Sequence, residues 1–210
     1  MQDKAALIRS LKERGISDER VLDAMATVPR EFFVPAEYAG EAWADEALPI
    51  ACHQTISQPF VVAYMTERLR VMPDHDVLEI GTGSGYQAAI LAKLARHVYT
   101  VERHDELHRL AVRRFKQLGI GNITARVGDG LKGWPGETRA FERIIVTAGT
   151  PEIPPALVKQ LKPCGMMIVP VGGRRMQHLT LVMRTDHATE TQELLPVRFV
   201  PLLPRLEDSG

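Results

Sequence analysis

The sequence predicts a doubly wound α/β fold, a mostly parallel sheet with helices on both faces, and three observations carry that prediction. The first is residues 77–89, VLEIGTGSGYQAA. Val77, Leu78 and Ile80 make the short apolar run that a buried parallel strand needs. Gly81, Gly83 and Gly85 follow at every second position, where the backbone can turn sharply and let a ligand approach. From 86 to 94 the chain is rich in helix formers, with Ile90, Leu91 and Leu94 at helical spacing. Strand, glycine loop and helix in this order open a nucleotide-binding unit, with free amides facing the ligand. The second observation is the next apolar run, HVYTV at 97–101, which ends in Glu102. An acid about 20 residues past the first glycine reaches ribose hydroxyls in such folds. The third is that short apolar runs keep alternating with helical patterns after Glu102.

Composition narrows the functional classes. A chain of 210 residues suits one domain and can bury a sizeable core without staples. It carries 26 basic and 26 acidic residues, a formal net charge of +0. Proteins whose main partner is nucleic acid are usually basic, so no nucleic-acid partner is expected. Cys52 and Cys164 lie far apart without a C-x-x-C, which reads as two free thiols in a reducing compartment. The first residues mix both charges and lack a signal-peptide core, and no run of 18 apolar residues occurs. A cytoplasmic protein with no membrane contact is the expectation.

The elements follow in order. Residues 4–14 place Ala5, Leu7, Ile8 and Leu11 on one helical face, closed by Gly15. Ser17 or Asp18 can cap a second helix carrying Val21, Leu22 and Met25, which Pro29 ends. In PREFFVPAEY, Phe32, Phe33 and Val34 read as core anchors. Residues 1–75 are therefore expected to form a helix-and-loop extension packed on an α/β core at 76–210, all within one domain. Within that extension, 49–63 reads PIACHQTISQPFVVA. Local rules make Ser57 or Gln58 a helix cap ahead of Pro59. His53 has no second ligand at metal spacing nearby, so no metal is expected. Past Glu102, 106–118 is a helix whose inward stripe is Leu107, Leu110, Ala111, Phe115 and Leu118. Its Arg109, Arg113, Arg114 and Lys116 read as a solvated face. Strands are expected at 123–127, 144–146, 166–169, 179–183 and 194–200, giving seven with the first two. A helix is expected to open at Pro154-Pro155.

The identity of the nucleotide rests on finer detail. The dinucleotide fingerprint G-x-G-x-x-G wants its third glycine where Tyr86 stands, which counts against an NAD-dependent oxidoreductase. With Glu79 ahead of the loop, E-x-G-x-G-x-G instead resembles the first motif of the S-adenosylmethionine-dependent methyltransferases. Further stretches sharpen the resemblance. PREFFVP, QTISQP, GTGSGYQAA, VYTVER, the GDG at 128–130, IIVTAGTPEIPPAL at 144–157 and LKPCGMMIVPVG at 161–172 stand in the order found in the protein-L-isoaspartate O-methyltransferases. The chain is similar to that family over nearly its whole length. It departs at Ala51 and His53, where the family usually carries glycine, and at Gly149 and Thr150, where proline or alanine is common.

The resemblance implies a class I, Rossmann-like methyltransferase with a seven-stranded sheet. Its cofactor would be S-adenosyl-L-methionine and its substrates isoaspartyl peptides and proteins, and it would act as a monomeric repair enzyme. It implies a cofactor site at Gln54, Thr55, Ile56, Ser57, Glu79, Gly81, Thr82, Gly83, Ser84, Gly85, Glu102, Arg103, Asp129 and Gly130, with Asp129 facing the adenine amino group. Val200, Pro201 and Leu202 would border the peptide, and Ser57 would orient its carboxylate. That carboxylate is ionised at neutral pH, so no general base is required. No Ser-His-Asp or Cys-His set is evident. Two rival readings are a methyltransferase acting on a small molecule or RNA, and a module that binds isoaspartyl sites without turnover.

Overall fold

The computed structural model describes residues 3–136, 139–185 and 188–204. Asp3 caps helix α1 (Lys4–Glu13), accepting from the Ala6 amide at 2.6 Å, and Asp18 rather than Ser17 caps α2 (Glu19–Thr27). Leu7, Leu11, Val21, Leu22 and Met25 are buried between them and the core. Arg30–Phe33 then forms one 3-10 turn. Phe33 and Val34 anchor the core, but Phe32 is 38% exposed. Neighbouring residues on a 3-10 turn point about a third of a turn apart, so Phe32 and Phe33 cannot both face inward.

The stretch before residue 75 is not helices and loops alone. β1 (Leu48–Ile50) and β2 (Gln54–Ile56) form a short antiparallel hairpin, with Leu48 opposite Ile56 and Ile50 opposite Gln54. Its turn contains Cys52 and His53 with φ of 57° and 54°. Two successive non-glycine residues in the left-handed region carry strain, each costing about 1–2 kcal/mol. Helix α3 (Pro59–Leu69) begins directly after Ser57 and Gln58. Neither side chain caps it; the Phe60 amide donates to Asp45 Oδ1 at 2.8 Å.

The central sheet has seven strands: β3 (Asp76–Ile80), β4 (His97–Glu102), β5 (Ile123–Val127), β6 (Phe141–Val146), β7 (Leu161–Gly172), β8 (Gln177–Arg184) and β9 (Thr189–Val197). Their order is β5-β4-β3-β6-β7-β8-β9. The pairs from β5 to β7 are parallel, and β7-β8 and β8-β9 are antiparallel. The last strand ends at Val197 rather than Val200 because the chain then turns to another partner. The Gly149 amide donates to the Val200 carbonyl at 2.8 Å, and the Leu202 amide donates to Gly149 at 2.7 Å.

Alternation along the strands splits the core in two. Val77, Val98, Ile145 and Ile168 pack with α1, α2, α3, α4 (Tyr86–Ala92) and α5 (Asp105–Gln117). Leu78, Ile80, Val101, Val146 and Met167 pack on the other face with Trp134, Phe141 and Leu157, the last from α6 (Pro155–Lys159). On α5, Leu107, Ala111 and Phe115 are buried, while Leu110 and Leu118 are half-buried. Its basic face is not wholly solvated: Arg114 is half-buried and donates to the Ser84 carbonyl at 3.0 Å. Chain order reverses at β3, between β4 and β6. The carboxyl edge there is where such sheets bind ligands.

Candidate active site

Four loops meet at that edge. After β3 comes the glycine loop, after β4 the turn at Glu102, after β5 the turn at Gly130, and after β6 Thr147 and Ala148. Together with the β2 end they line a cleft at the carboxyl edge of the sheet. Gln54, Thr55, Ile56, Ser57, Gly81, Thr82, Gly83, Ser84, Glu102, Arg103, Gly130, Val200, Pro201 and Leu202 all border it. The hairpin lies over the loop: Ile50 Cδ1 is 3.8 Å from where a Cβ on Gly83 would sit.

Each glycine has its own reason. A Cβ on Gly81 would stand 2.5 Å from Thr147 Oγ1. That hydroxyl donates to the Gly81 carbonyl at 2.7 Å and the Ile80 carbonyl at 3.0 Å, which fixes the loop's first turn. Gly85, with φ 91°, faces away from the cleft, and a Cβ there would meet the Phe115 ring at 2.8 Å. It is required for α4 to pack on α5. It does not border the cleft.

Glu102 is 4% exposed and ties two loops together. Its Oε2 accepts from the Gly83 amide at 2.8 Å and its Oε1 from the His104 amide at 3.0 Å. Glu79 lies behind the loop, fully buried, and does not border the cleft. It accepts a hydrogen bond from the Thr100 hydroxyl, which lies 2.6 Å from the Thr82 hydroxyl. Burial pushes its carboxyl up to about 8, against the pull of the Thr100 bond and with a smaller push from Glu102. At neutral pH Glu79 is therefore largely a neutral acid, and its Oε1 has no partner among the described residues. Asp129 also stays off the cleft wall: its carboxylate accepts from the Leu131 amide at 3.0 Å and caps the turn at Gly130–Lys132.

The sequence reading missed several residues on the wall: Val62, Ile80, Tyr86, Gln87, Val101, His104, Thr147, Ala148 and Leu203. Ile80, Val101 and His104 flank the two recognised motifs and could have been inferred from them. Tyr86 stands in the glycine motif, but its contact with the cleft, like that of Thr147, depends on the strand order and the packing of α4.

A second, larger cleft of about 1400 Å³ runs beside the first. Asp45, Gln58, Phe60, Arg175, Met176, Arg198 and Phe199 line it, and Thr55, Ser57, Thr147 and Val200 border both. Asp45 organises one wall. It accepts from Gln58 Nε2 at 2.9 Å and pairs with Arg14, whose guanidinium lies 3.6 Å from the Phe60 ring centre. The Ser57 backbone carbonyl accepts a hydrogen bond from Arg30 Nη2 at 3.1 Å.

The first cleft fits an adenosyl group: apolar walls at Ile80, Val101 and Leu202, an acid at Glu102 and exposed backbone at Gly81 and Gly83. Among the described residues, no cluster of three or more His, Cys, Asp or Glu side chains is placed to hold a metal.

Comparison with known proteins agrees with this chemistry. The family described as Protein-L-isoaspartate(D-aspartate) O-methyltransferase (PCMT) matches residues 1–207. A protein-L-isoaspartate O-methyltransferase of Parvibaculum lavamentivorans is 55% identical over 205 residues, covering 96% of this chain and 92% of its own. One of Paramagnetospirillum magneticum is 52% identical, covering 94% and 92%. A solved protein-L-isoaspartate O-methyltransferase superposes with a TM-score of 0.86 at 31% identity, over 95% of this chain but 65% of that longer one. A Plasmodium falciparum protein assigned to the same activity, crystallised in complex with S-adenosyl-L-homocysteine, gives a TM-score of 0.85 at 26% identity, over 97% and 99%.

Proposed function

This chain belongs to the protein-L-isoaspartate(D-aspartate) O-methyltransferase family, and we propose that the methyl group passes at Ser57, where its two clefts meet. The enzyme methylates the α-carboxylate of L-isoaspartyl residues in damaged peptides and proteins, using S-adenosyl-L-methionine and leaving S-adenosyl-L-homocysteine. The single observation that carries the proposal is that Ser57 and Thr55 border both the cleft over the glycine loop and the larger groove beside it.

In this reading the first cleft holds the donor. Gly81, Thr82, Gly83 and Ser84 present backbone to it. Glu102 receives the ribose hydroxyls, and Gln54, Thr55, Ile56, Arg103 and Gly130 close around it. Glu79 and Gly85 support the loop from behind. Asp129 reaches the adenine amino group by exchanging its bond to the Leu131 amide for that contact. When bound, S-adenosylmethionine supplies a methyl group on a sulfonium cation, and transfer to a carboxylate oxygen cancels the two charges. No proton has to move, so the protein's work is alignment and exclusion of water. Ser57 donates one hydrogen bond to the acceptor carboxylate and turns its other oxygen towards the methyl. The hairpin over Gly83 shields the site.

The assay is turnover of an isoaspartyl peptide against its normal aspartyl twin, read as methanol release from the ester. Only the isoaspartyl form is expected to react. A hydrogen bond to an anion contributes roughly 1.5–3 kcal/mol, so Ser57→Ala should cut turnover about 10- to 100-fold with donor affinity unchanged. Undiminished turnover would remove Ser57 from the mechanism.

Of the segment assigned to the peptide, Val200 borders both clefts, while Pro201 and Leu202 line the first alone. One edge of that segment is occupied by Gly149, which takes the Val200 carbonyl and the Leu202 amide. An incoming peptide meets the other edge, where Pro201 offers a carbonyl and no N–H. A substrate N-methylated at the amides flanking the isoaspartate should therefore lose affinity; equal KM values would take this edge out of the account. We further propose a single methyltransferase domain acting as a monomer in the cytoplasm, without a nucleic-acid partner. The balanced charge supports this, and among the described residues no helix is long and apolar enough to cross a membrane.

A further inference from the structure

Arg30 lies outside both clefts, yet the acceptor side is built around it. It is 0% exposed, on the 3-10 turn after α2. A buried guanidinium is normally paired with a carboxylate. Among the described residues, none lies within ion-pair distance of this one. Its donors go instead to backbone carbonyls. Nη1 donates to Ala42 and, at 3.4 Å, to Ala44; Nη2 donates to Glu46 at 2.9 Å and to Ser57 at 3.1 Å. Nε has no partner. The guanidinium carbon also lies 5.8 Å from the ring centre of Tyr86, which lines the donor cleft at the start of α4.

These contacts join three parts of the site that are far apart in sequence. Residues 42–46 form the approach to the hairpin and carry Asp45, which caps α3. Ser57 is the meeting point of the clefts. Tyr86 belongs to the donor side. A planar fork with several fixed donors can hold three carbonyls in one relative geometry, which a flexible ammonium cannot do.

We infer that Arg30 is a positioning residue for methyl transfer: its buried guanidinium, bonded to the carbonyls of Ala42, Glu46 and Ser57, sets Ser57 in register with the donor cleft. This rests on Ser57 orienting the acceptor carboxylate. Displacing reacting groups by an ångström is enough to lose rate about 100-fold without touching either ligand. Arg30 therefore acts through Ser57.

A double-mutant cycle tests this. Arg30→Lys keeps the charge and loses the fork; it is measured alone and combined with Ser57→Ala. Three readouts are taken: kcat and KM for an isoaspartyl peptide, and the dissociation constant of S-adenosylhomocysteine by calorimetry. Arg30→Lys alone should lower kcat about tenfold, with S-adenosylhomocysteine affinity held within about threefold. In the Ser57→Ala background it should cost less than about twofold more, because the group it positions is already gone. A purely structural role predicts the full tenfold loss in both backgrounds, and that result would overturn the inference. So would an unchanged kcat in Arg30→Lys. Loss of S-adenosylhomocysteine binding or of the folded state would overturn it too, because Arg30 would then support the whole molecule and not the acceptor side. Wild-type turnover in Ser57→Ala alone would instead strike at the role of Ser57, in a separate arm of the cycle.

Discussion

Glu102 commits one oxygen to the Gly83 amide and the other to the His104 amide. A carboxylate has about four acceptor sites, so ribose hydroxyls can still bind it while both loops stay tied. Substitution removes the ligand contact and the loop anchor together. Glu102→Ala should therefore weaken S-adenosylmethionine binding at least about tenfold, while turnover at saturating donor changes little. An unchanged dissociation constant by calorimetry would contradict the ribose assignment. At this scale much of the site was legible. Glu102 and the glycines stand in local motifs whose chemistry follows from spacing, whereas local rules made Ser57 a helix cap and only the family resemblance gave it a site role. Thr147, Tyr86 and Arg30 were not legible, since each gains its role from a partner far away in sequence: Gly81, the donor cleft, and Ser57. Asp129 and Gly85 show the converse. Both stand in motifs, yet the Asp129 side chain is taken up by the Leu131 amide and Gly85 is demanded by Phe115.

Among the elements, the hairpin of β1 and β2 was the one the sequence concealed. Its strands have three residues each, and its turn passes through Cys52 and His53 in the left-handed region, without the Asn-Gly or Asp-Gly signal of a tight turn. The departure from glycine at His53 was visible; that it costs backbone strain was not. Helix α3 was legible from Pro59 and its apolar run, but its cap was not, because the cap arrives from Asp45 across the groove. That carboxylate holds the Phe60 amide, Gln58 and Arg14 at once, so it fixes the helix start that carries the QTISQP loop. Loss of a cap costs about 1 kcal/mol. Asp45→Ala should thus lower the melting temperature by roughly 2–4 °C and raise KM for the isoaspartyl peptide, with S-adenosylhomocysteine affinity kept. A matched loss of affinity for both ligands would show that α3 and the donor cleft move as one unit.

Across the whole molecule, the parallel order around β3 follows from alternating apolar runs and helices, which is why the fold class could be read in advance. The residue that departs from this pattern is Glu79, an acid at the centre of the sheet on the same face as Val77, which packs against α1 to α5. Its neighbours explain why it is tolerated: a hydroxyl from Thr100 bonds it, and burial keeps it neutral, with a carboxyl near 8. The consequence is a pH dependence of the whole fold. In the unfolded chain this group titrates near 4.5. Between that value and about 8, the folded protein holds a proton that the unfolded chain has lost, so unfolding releases it. The stability Glu79 contributes is complete below its unfolded pKa and is lost as pH rises through that window, at up to about 1.4 kcal/mol per pH unit. Glu79→Gln keeps the shape and the acceptor for Thr100 but cannot ionise. Its stability relative to the parent should rise steadily from pH 5 to pH 8, measured as denaturant midpoints at each pH. Parallel curves for the two proteins would mean that Glu79 is already ionised in the folded state. The Thr82–Thr100–Glu79 chain would then hold a charge directly beneath the glycine loop, and water or a cation would have to accompany it.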